Sequence, residues 1–477
     1  MTGAPRRLLA TIAAAGLSAC APHAPPPAPG PAPAAPAAAL ARAESAYADL
    51  RALRDRIEIT TAAGRTASPE GVPLAVLARR HDQLRAALAL RLAPIDSIGL
   101  AADDRRALAV MRGTLASDLG PVAASPAPAA GADAVAPKAP DCAYDPRRLA
   151  TMPSGADSLR RRVYACYGWA QQHVMLDGER LDRLTVLDTL ARTDDPGLRR
   201  RLFLALDPVW RSVNGDDGPQ SPYRLLVGLD ARGGEPPAAA RARALGLAPD
   251  SLERWLVRVL EAWVFATYAT GGLDNLNELL HETGHAVHIA AVRTRPAFLD
   301  WPDSDPFSEA LGDFVALDVY EPAWQWRWLG DSVPLADGLR ARYAGIVLDV
   351  AWALFEARLE RDPAADPNRV WTAITGDYLR IRPHPELSWW AMRGQLVASP
   401  GYMMNYAAGA ILIAAIRART RELHGPFVTG DSAWYAWVAP RLYRFGLERG
   451  SRRVITEFLG GPLTPAAILE DMGRMRR

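Results

Sequence analysis

Most of the chain alternates apolar and polar residues with the period of an α-helix. Apolar residues recur three or four positions apart among Arg, Asp and Glu, which places them on one helical face. The stretches with this pattern are residues 40–60, 74–92, 102–118, 157–206, 250–266 and 334–360. Strict alternation, the pattern of a half-buried strand, is scarce, and turn-forming clusters such as residues 214–219 separate the helical stretches. The pattern therefore predicts an all-α fold, with one large helical domain over residues 40–477.

The N-terminal twenty residues have a different pattern. Two arginines at residues 6–7 precede an apolar run at residues 8–17, which is too short for a mature membrane helix and is typical of an export signal. The run ends in the sequence LSAC, which resembles the lipobox of bacterial lipoproteins. In that family the cysteine becomes the new N-terminus and carries the lipid. Residues 1–19 are therefore predicted to be a signal peptide and Cys20 the lipid attachment site. The alternative is an ordinary cleaved signal in which Cys20 occurs by chance.

The lipobox resemblance also implies a location. It predicts a lipid-anchored protein of the bacterial cell envelope, held to the membrane through its N-terminal lipid. Ala21 rather than Asp follows the cysteine, which in that family favours the outer membrane, facing the periplasm.

Two stretches rich in Pro and Ala interrupt the helical pattern. Residues 20–39 predict a semi-rigid tether between the lipid and the folded domain. Residues 121–140 predict either an exposed loop inside the domain or a boundary between two helical parts. A further apolar run, residues 407–416, is too short to span a membrane and predicts a buried helix.

Two cysteines remain after the predicted cleavage, Cys142 and Cys166. An exported chain meets an oxidising compartment, where paired cysteines usually form a disulfide. We therefore predict a bond between Cys142 and Cys166, with two buried free thiols as the alternative. A metal site there is disfavoured because no other cysteine or close histidine joins them.

Composition and charge limit the classes of partner that the chain is expected to bind. The chain is 49% hydrophobic and 23% charged, the balance of an ordinary globular protein. A formal net charge of +2 gives no basic surface of the kind that nucleic acids require, so no nucleic-acid partner is predicted.

The segment with the clearest chemistry is the HETGH sequence at residues 281–285. Its spacing places His281 and His285 one turn apart on one helical face, where both imidazoles can reach a single ion. Glu282 lies between them and is placed to act as a general base. The alternative, a helix with surface histidines, is disfavoured because chance matches to this spacing are rare in a chain with 8 histidines.

A catalytic zinc site needs a third protein ligand and an open fourth position. Glu309 begins an apparent helix downstream, and Asp313 follows one turn later. A carboxylate at Glu309 would complete the ligand set, and Asp313 would accept a hydrogen bond from a ligand histidine and fix its orientation. Spacing alone leaves several nearby competitors. These are Asp303, Asp305 and Asp318.

The sequence HETGH, followed by SEALGDFVALDVYEP, resembles the zinc helix and the Glu-Ala-x-Gly-Asp helix of the angiotensin-converting-enzyme family of peptidyl-dipeptidases. That family has an all-helical fold with two lobes around a deep channel. The resemblance implies one zinc ion bound by His281, His285 and Glu309, with Glu282 as base and Asp313 behind a ligand histidine. The HExGHxxH sequence is also similar to thimet-type oligopeptidases, and in neither family is the residue matching His288 a ligand.

The resemblance extends to a Trp-rich segment at residues 388–393 and to the helix that follows. By this match Tyr406 corresponds to the family's catalytic tyrosine, whose hydroxyl donates a hydrogen bond to the oxyanion. Tyr402 lies one turn away and is a second candidate. Asn405 replaces the family's chloride-linked arginine. His384 is the histidine nearest to the expected position of the family's assisting histidine.

These observations predict a zinc metallopeptidase that hydrolyses small peptides and releases C-terminal dipeptides in the manner of the family. Another zinc hydrolase, acting for example on peptide crosslinks of the cell wall, uses the same residues. A third alternative is a degenerate anchored protein that binds peptides or partners without cleaving them. It is favoured by the short distance between the helix at residues 250–267 and His281, a region that is longer in the family.

Overall fold

The computed structural model describes residues 35–62, 65–117, 139–262, 272–425 and 432–475. Helices account for most of these residues, so the all-α prediction is confirmed. The predicted signal peptide and Cys20 lie outside the described residues, as do residues 20–34 of the predicted tether and residues 121–138 of the second Pro/Ala-rich stretch. In the described part of the chain, no helix combines the length and the apolar character that crossing a membrane requires.

The described residues contain helices numbered here in chain order. They are α1 (Ala35–Ala62), α2 (Leu74–Leu92), α3 (Ala102–Ala116), α4 (Pro146–Thr151), α5 (Gly155–Gln171), α6 (Arg183–Arg192), α7 (Pro196–Ala205), α8 (Asp207–Asn214), α9 (Pro222–Gly233), α10 (Pro237–Ala244), α11 (Pro249–Ala262), α12 (Leu273–Ala291), α13 (Asp305–Ala316), α14 (Pro322–Leu329), α15 (Leu335–Arg361), α16 (Pro367–Leu379), α17 (Gln395–Ala398), α18 (Met403–His424), α19 (Ser432–Val438), α20 (Ser451–Leu459) and α21 (Ala466–Arg474). Short turns of tighter or wider helix cover Pro296–Phe298, Leu317–Tyr320, Trp389–Met392 and Ala439–Tyr443.

The chain divides into two compact units, residues 1–122 and 123–477. The division falls within the second Pro/Ala-rich stretch. The first unit contains α1, α2 and α3, and Leu53, Ile57 and Leu77 form a small apolar cluster within it. Their spacing along α1 and α2 puts them on the helical faces that the apolar pattern predicts.

The second unit is built around two long helices, α15 and α18. Both are buried along much of their length, as shown by fully enclosed side chains such as Phe355 on α15 and Leu412 on α18. The apolar run 407–416 lies inside α18, as predicted. The shorter helix α13 packs against α18 on one side and α12 on the other. This arrangement brings the two segments that carry the candidate chemistry side by side.

The helical prediction over residues 157–206 is wrong in its middle. There the chain forms two short antiparallel strands, β1 (Val174–Leu176) and β2 (Glu179–Leu181). Asp177 and Gly178 join them with φ values of 52° and 89°, the backbone that a tight hairpin turn of this hand requires. The helices resume after Asp182 and Asp195, whose side chains accept hydrogen bonds from the first turns of α6 and α7.

Cys142 and Cys166 are joined by a disulfide, with their Cα atoms 6.0 Å apart. Cys166 lies on the buried face of α5. The bond therefore ties the segment before α4 to the helical core of the second unit.

Candidate metal centre

Two glycines allow the site's helices to approach each other. A Cβ atom at Gly284 on α12 would lie only 2.2 Å from the carbonyl oxygen of Gly312 on α13. A Cβ atom at Gly312 would lie 2.8 Å from Cε1 of His285. Neither position has room for a larger residue, because such distances are well inside van der Waals contact. The close approach places the HETGH turn of α12 directly against the middle of α13.

Three donor side chains converge at this contact. His281 and His285 lie four residues apart on α12, and their Nε2 atoms are 3.0 Å apart. Glu309, in the second turn of α13, points its Oε2 atom towards them, at 3.4 Å from Nε2 of His281 and 3.8 Å from that of His285. Each side chain keeps only 15–19% of its surface exposed. The geometry thus brings together the residues predicted to bind the ion.

These separations fit a zinc ion. Ligand atoms about 2.0–2.1 Å from a tetrahedral ion lie roughly 3.3 Å from one another. The observed separations of 3.0, 3.4 and 3.8 Å lie on either side of that value. Two imidazole nitrogens and one carboxylate oxygen are also the donor types of a catalytic zinc site. Among the described residues, this is the group of His, Cys, Asp and Glu side chains arranged to hold a metal ion.

Asp313 lies behind the first histidine. Its Oδ1 atom is 2.7 Å from Nδ1 of His281, so it accepts a hydrogen bond from that ring and leaves Nε2 directed at the other donor atoms. Burial disfavours a charge on His281, but hydrogen bonds with Asp313 and Glu309 outweigh it and raise the pKa of the ring to about 10. The two carboxylates therefore attract positive charge at this point, and an ion binding at Nε2 of His281 would have to displace the ring proton.

The second histidine has a different environment. Nδ1 of His285 has no hydrogen-bond partner among the described residues, and the ring of Trp301 stands edge-on to the imidazole with centroids 5.6 Å apart. Burial, followed by the neighbouring charge of His281, lowers the pKa of His285. A neutral imidazole is the form that binds a metal.

The competing aspartates have other partners. Asp303 accepts the backbone N–H of Ser451 at 2.7 Å. Asp305 pairs with Arg241 at the start of α13. Asp318 is buried and pairs with Arg417 at 2.5 Å. None of the three belongs to the donor group described above.

His288 and His384 are also placed elsewhere. His288 is buried between the rings of Trp301 and Tyr443, where burial lowers its pKa to about 4 and keeps it neutral. His384 pairs with Glu386 at 2.8 Å on an exposed segment and does not line the cavity beside the metal centre. Neither residue joins the donor group.

A cavity of about 350 Å³ opens beside the donor group, between α12, α13, α15 and α18. His281, Glu309, Asp313 and Tyr406 contribute to its wall. Glu282 lies on an exposed part of α12, next to His285. The cavity therefore reaches the donor side chains His281 and Glu309 and can admit part of a small ligand.

The far wall of the cavity contains residues that the sequence analysis did not find. Arg342 on α15 is almost fully buried, with 3% of its side chain exposed. It pairs with Asp471 at 3.2 Å, while its Nε and Nη2 atoms have no partner among the described residues. Asp349, about two turns further along the same face of α15, pairs with Arg393, and burial raises its pKa to about 6. Single charged residues inside a long helix give no motif, so no signal in the sequence could have singled them out.

The two candidate tyrosines differ in their contacts. The hydroxyl of Tyr402 donates to Oε1 of Glu309 at 3.1 Å, whereas Tyr406 lines the cavity. Burial, reinforced by the charge of Glu309, raises the pKa of both tyrosines. Both hydroxyls therefore keep their protons at neutral pH and can act as hydrogen-bond donors.

Comparisons with known proteins do not assign the chain to a family. No family profile and no curated protein matches the sequence. Among solved structures, the chain is similar to the M32 carboxypeptidase from Deinococcus radiodurans R1, at 14% identity and a TM-score of 0.47, covering 92% of this chain and 99% of that one. It is also similar to oligoendopeptidase F from Enterococcus faecium, at 13% identity and a TM-score of 0.47, covering 91% and 97%. A third similar structure is PZ peptidase A, at 12% identity and a TM-score of 0.44, covering 89% and 96%. Similarity at this level does not assign a function to this chain.

Proposed function

We propose that the chain is a zinc-dependent metallopeptidase that hydrolyses short peptides. The observation that carries the proposal is the convergence of His281, His285 and Glu309 at separations of 3.0–3.8 Å, with Glu282 between the two histidines in sequence. A zinc ion held by these atoms would supply Lewis-acid chemistry and make a nearby water reactive close to neutral pH.

Three of the protein's own residues have separate roles in the proposed reaction. Glu282 removes a proton from the attacking water and delivers it to the leaving amine. Asp313 keeps the ring of His281 in the orientation that binds the ion. Tyr406, on the cavity wall, donates its hydroxyl to the oxygen that becomes negative as the carbonyl is attacked. A single donor of this kind typically lowers the barrier by about 3–4 kcal/mol.

The release of C-terminal dipeptides is the finer part of the proposal. A peptide cut near its C-terminus places a free carboxylate a fixed distance from the reacting carbonyl. Arg342 supports this, because it is a buried cation on the cavity wall, and two of its guanidinium nitrogens have no hydrogen-bond partner among the described residues. A carboxylate held there would satisfy donors that are costly to bury unpaired.

The mode of cleavage is tested with peptide pairs that differ only in a C-terminal acid or amide. We expect the acids to be cleaved about tenfold faster or more, because a charge-assisted hydrogen bond is lost in the amides. Arg342→Gln should reduce that preference. Equal rates for acids and amides would instead indicate cleavage that ignores the C-terminus.

The location is a further proposal, supported by the LSAC sequence before Ala21. Cys20 is proposed to carry lipid and to anchor the enzyme in the bacterial cell envelope, facing the periplasm. Radiolabelled palmitate should enter the wild-type chain and not the Cys20→Ser variant. Equal labelling of both chains would contradict the anchor.

The activity is tested by mass spectrometry of a mixed peptide pool incubated with zinc-loaded protein, with Glu282→Gln as the control. Glu282 is not a ligand, so the variant should bind zinc and leave the pool unchanged. Loss of C-terminal dipeptides supports the full proposal, and internal cuts support the peptidase without dipeptide release. An unchanged pool with zinc bound to the wild type would contradict peptidase activity and favour a peptide-binding protein.

A further inference from the structure

Tyr402 and Tyr406 lie one turn apart at the start of α18, where their hydroxyls interact with each other. Their contacts with the rest of the site differ. Their rings stand nearly perpendicular, with centroids 5.3 Å apart. Tyr402 donates its hydroxyl to Oε1 of Glu309 at 3.1 Å. It is not among the described residues that line the cavity, whereas Tyr406 is. Tyr402 therefore contacts the carboxylate of Glu309, and Tyr406 lines the space where a substrate would lie.

The hydrogen bond from Tyr402 separates the roles of the two oxygens of Glu309. Oε2 is the atom directed at the imidazoles, 3.4 Å from His281 and 3.8 Å from His285. Oε1 accepts the hydrogen bond from the hydroxyl of Tyr402. A carboxylate held in this way presents one oxygen to an ion and is prevented from rotating to present both.

The backbone around Tyr402 is held by a buried carboxylate. Glu356 on α15 is 3% exposed, and its two oxygens accept the N–H groups of Gly401 at 2.8 Å and Met403 at 3.1 Å. These residues lie immediately before and after Tyr402. These two hydrogen bonds therefore fix the backbone position from which the side chain of Tyr402 reaches Glu309.

The ring of Tyr402 is also restrained. The guanidinium of Arg241 lies 5.5 Å from the ring centroid, a distance at which a cation attracts an aromatic face. The same guanidinium donates to Oδ1 of Asn405 at 3.0 Å and to Oγ of Ser399 at 3.3 Å. Arg241 thus connects the ring to the residues on both sides of the turn that starts α18.

We propose that Tyr402 is a positioning residue that holds Glu309 as a one-oxygen metal ligand, and that Glu356 in turn positions Tyr402. The inference rests on the metal centre of the proposed function, although not on peptide hydrolysis. It gives the two tyrosines separate tasks: Tyr402 sets the affinity for the ion, and Tyr406 acts on the substrate.

The test is the zinc dissociation constant, measured by competition with a chromogenic chelator for the full chain and two matched variants. Tyr402→Phe should weaken zinc binding about 10–100-fold, the usual effect of losing a hydrogen bond to a metal ligand. Tyr406→Phe removes the hydroxyl one turn away, which interacts with that of Tyr402 but is not the donor to Oε1 of Glu309, and should weaken zinc binding clearly less. Melting of the metal-free proteins serves as the folding control, and both variants should match the wild type.

Unchanged zinc affinity in Tyr402→Phe, or equal weakening in Tyr406→Phe, would overturn the proposal. A wild-type chain that binds no zinc would instead overturn the metal centre itself, so the two failures are distinguishable. A third comparison tests Glu356. Glu356→Gln should weaken zinc binding, and the double variant with Tyr402→Phe should be no weaker than Tyr402→Phe alone. Additive losses would show that Glu356 does not act through Tyr402.

Discussion

The contact between Gly284 and Gly312 gives the sharpest structural prediction. In Gly284→Ala the new methyl group would start 2.2 Å from the carbonyl oxygen of Gly312 and 2.9 Å from its carbon. Both atoms belong to the backbone of α13, so no side-chain rotation can relieve the clash. The helices α12 and α13 must move apart by about 1 Å to restore ordinary contact.

A movement of this size affects stability and metal binding differently. Overpacking of a well-packed contact typically costs about 1–3 kcal/mol, which a unit of this size can survive. The metal site is less tolerant, because its ligands must be held within about 0.5 Å of the productive geometry. His281 and His285 move with α12, and Glu309 moves with α13. We therefore expect zinc affinity to fall by much more than stability does.

The assay is chelator competition for zinc affinity beside urea unfolding of the metal-free protein. Gly228→Ala is the matched control, because Gly228 lies in α9 and a Cβ atom there would meet nothing within 4 Å. That variant should be stabilised by about 0.4–1 kcal/mol through the unfolded chain, with zinc binding unchanged. Wild-type zinc affinity in a folded Gly284→Ala protein would refute the close approach as the basis of the site.

Three further predictions concern single interactions. Asp313→Asn should weaken zinc binding about 10–100-fold, because the ring of His281 loses its carboxylate partner; unchanged affinity by chelator competition would contradict this. Removing the Cys142–Cys166 bond with a double alanine variant should cost about 3 kcal/mol in urea unfolding, given the separation of 24 residues. Burial raises the pKa of Glu356 to about 8 in the folded protein, so this residue makes stability fall as pH rises from its ordinary pKa of 4.5 towards 8. Glu356→Gln should reduce that slope in unfolding measured across the range, and an unchanged slope would show that the carboxyl is not perturbed.

The chemistry of α12 could be predicted from sequence because the ligand spacing is local. Two histidines four residues apart share a helical face wherever the helix lies. The pairing of His281 and His285 can therefore be predicted without knowing the fold. The third ligand, Glu309, is harder to predict from sequence, because Asp303, Asp305 and Asp318 are comparably placed along the chain. The structure separates them through partners that are distant in sequence, such as Arg241 for Asp305 and Arg417 for Asp318.

The rest of the site depends on tertiary packing. Arg342 and Asp349 reach the cavity because α15 forms part of its wall together with α12, α13 and α18, and an isolated charge in a helical pattern gives no sign of such packing. The hairpin after α5 was missed for a related reason. Its strands have 3 residues each, too few for an alternating pattern to stand out from the helices on either side.

The central claim is that one zinc ion at His281, His285 and Glu309 makes this protein a peptidase. Titrating the metal-free protein with zinc while following hydrolysis of an internally quenched peptide tests it most directly. The rate should rise in proportion to added zinc and stop rising at one equivalent, with Glu282→Gln inactive throughout. No hydrolysis at any ratio, or a rate independent of zinc, would contradict it.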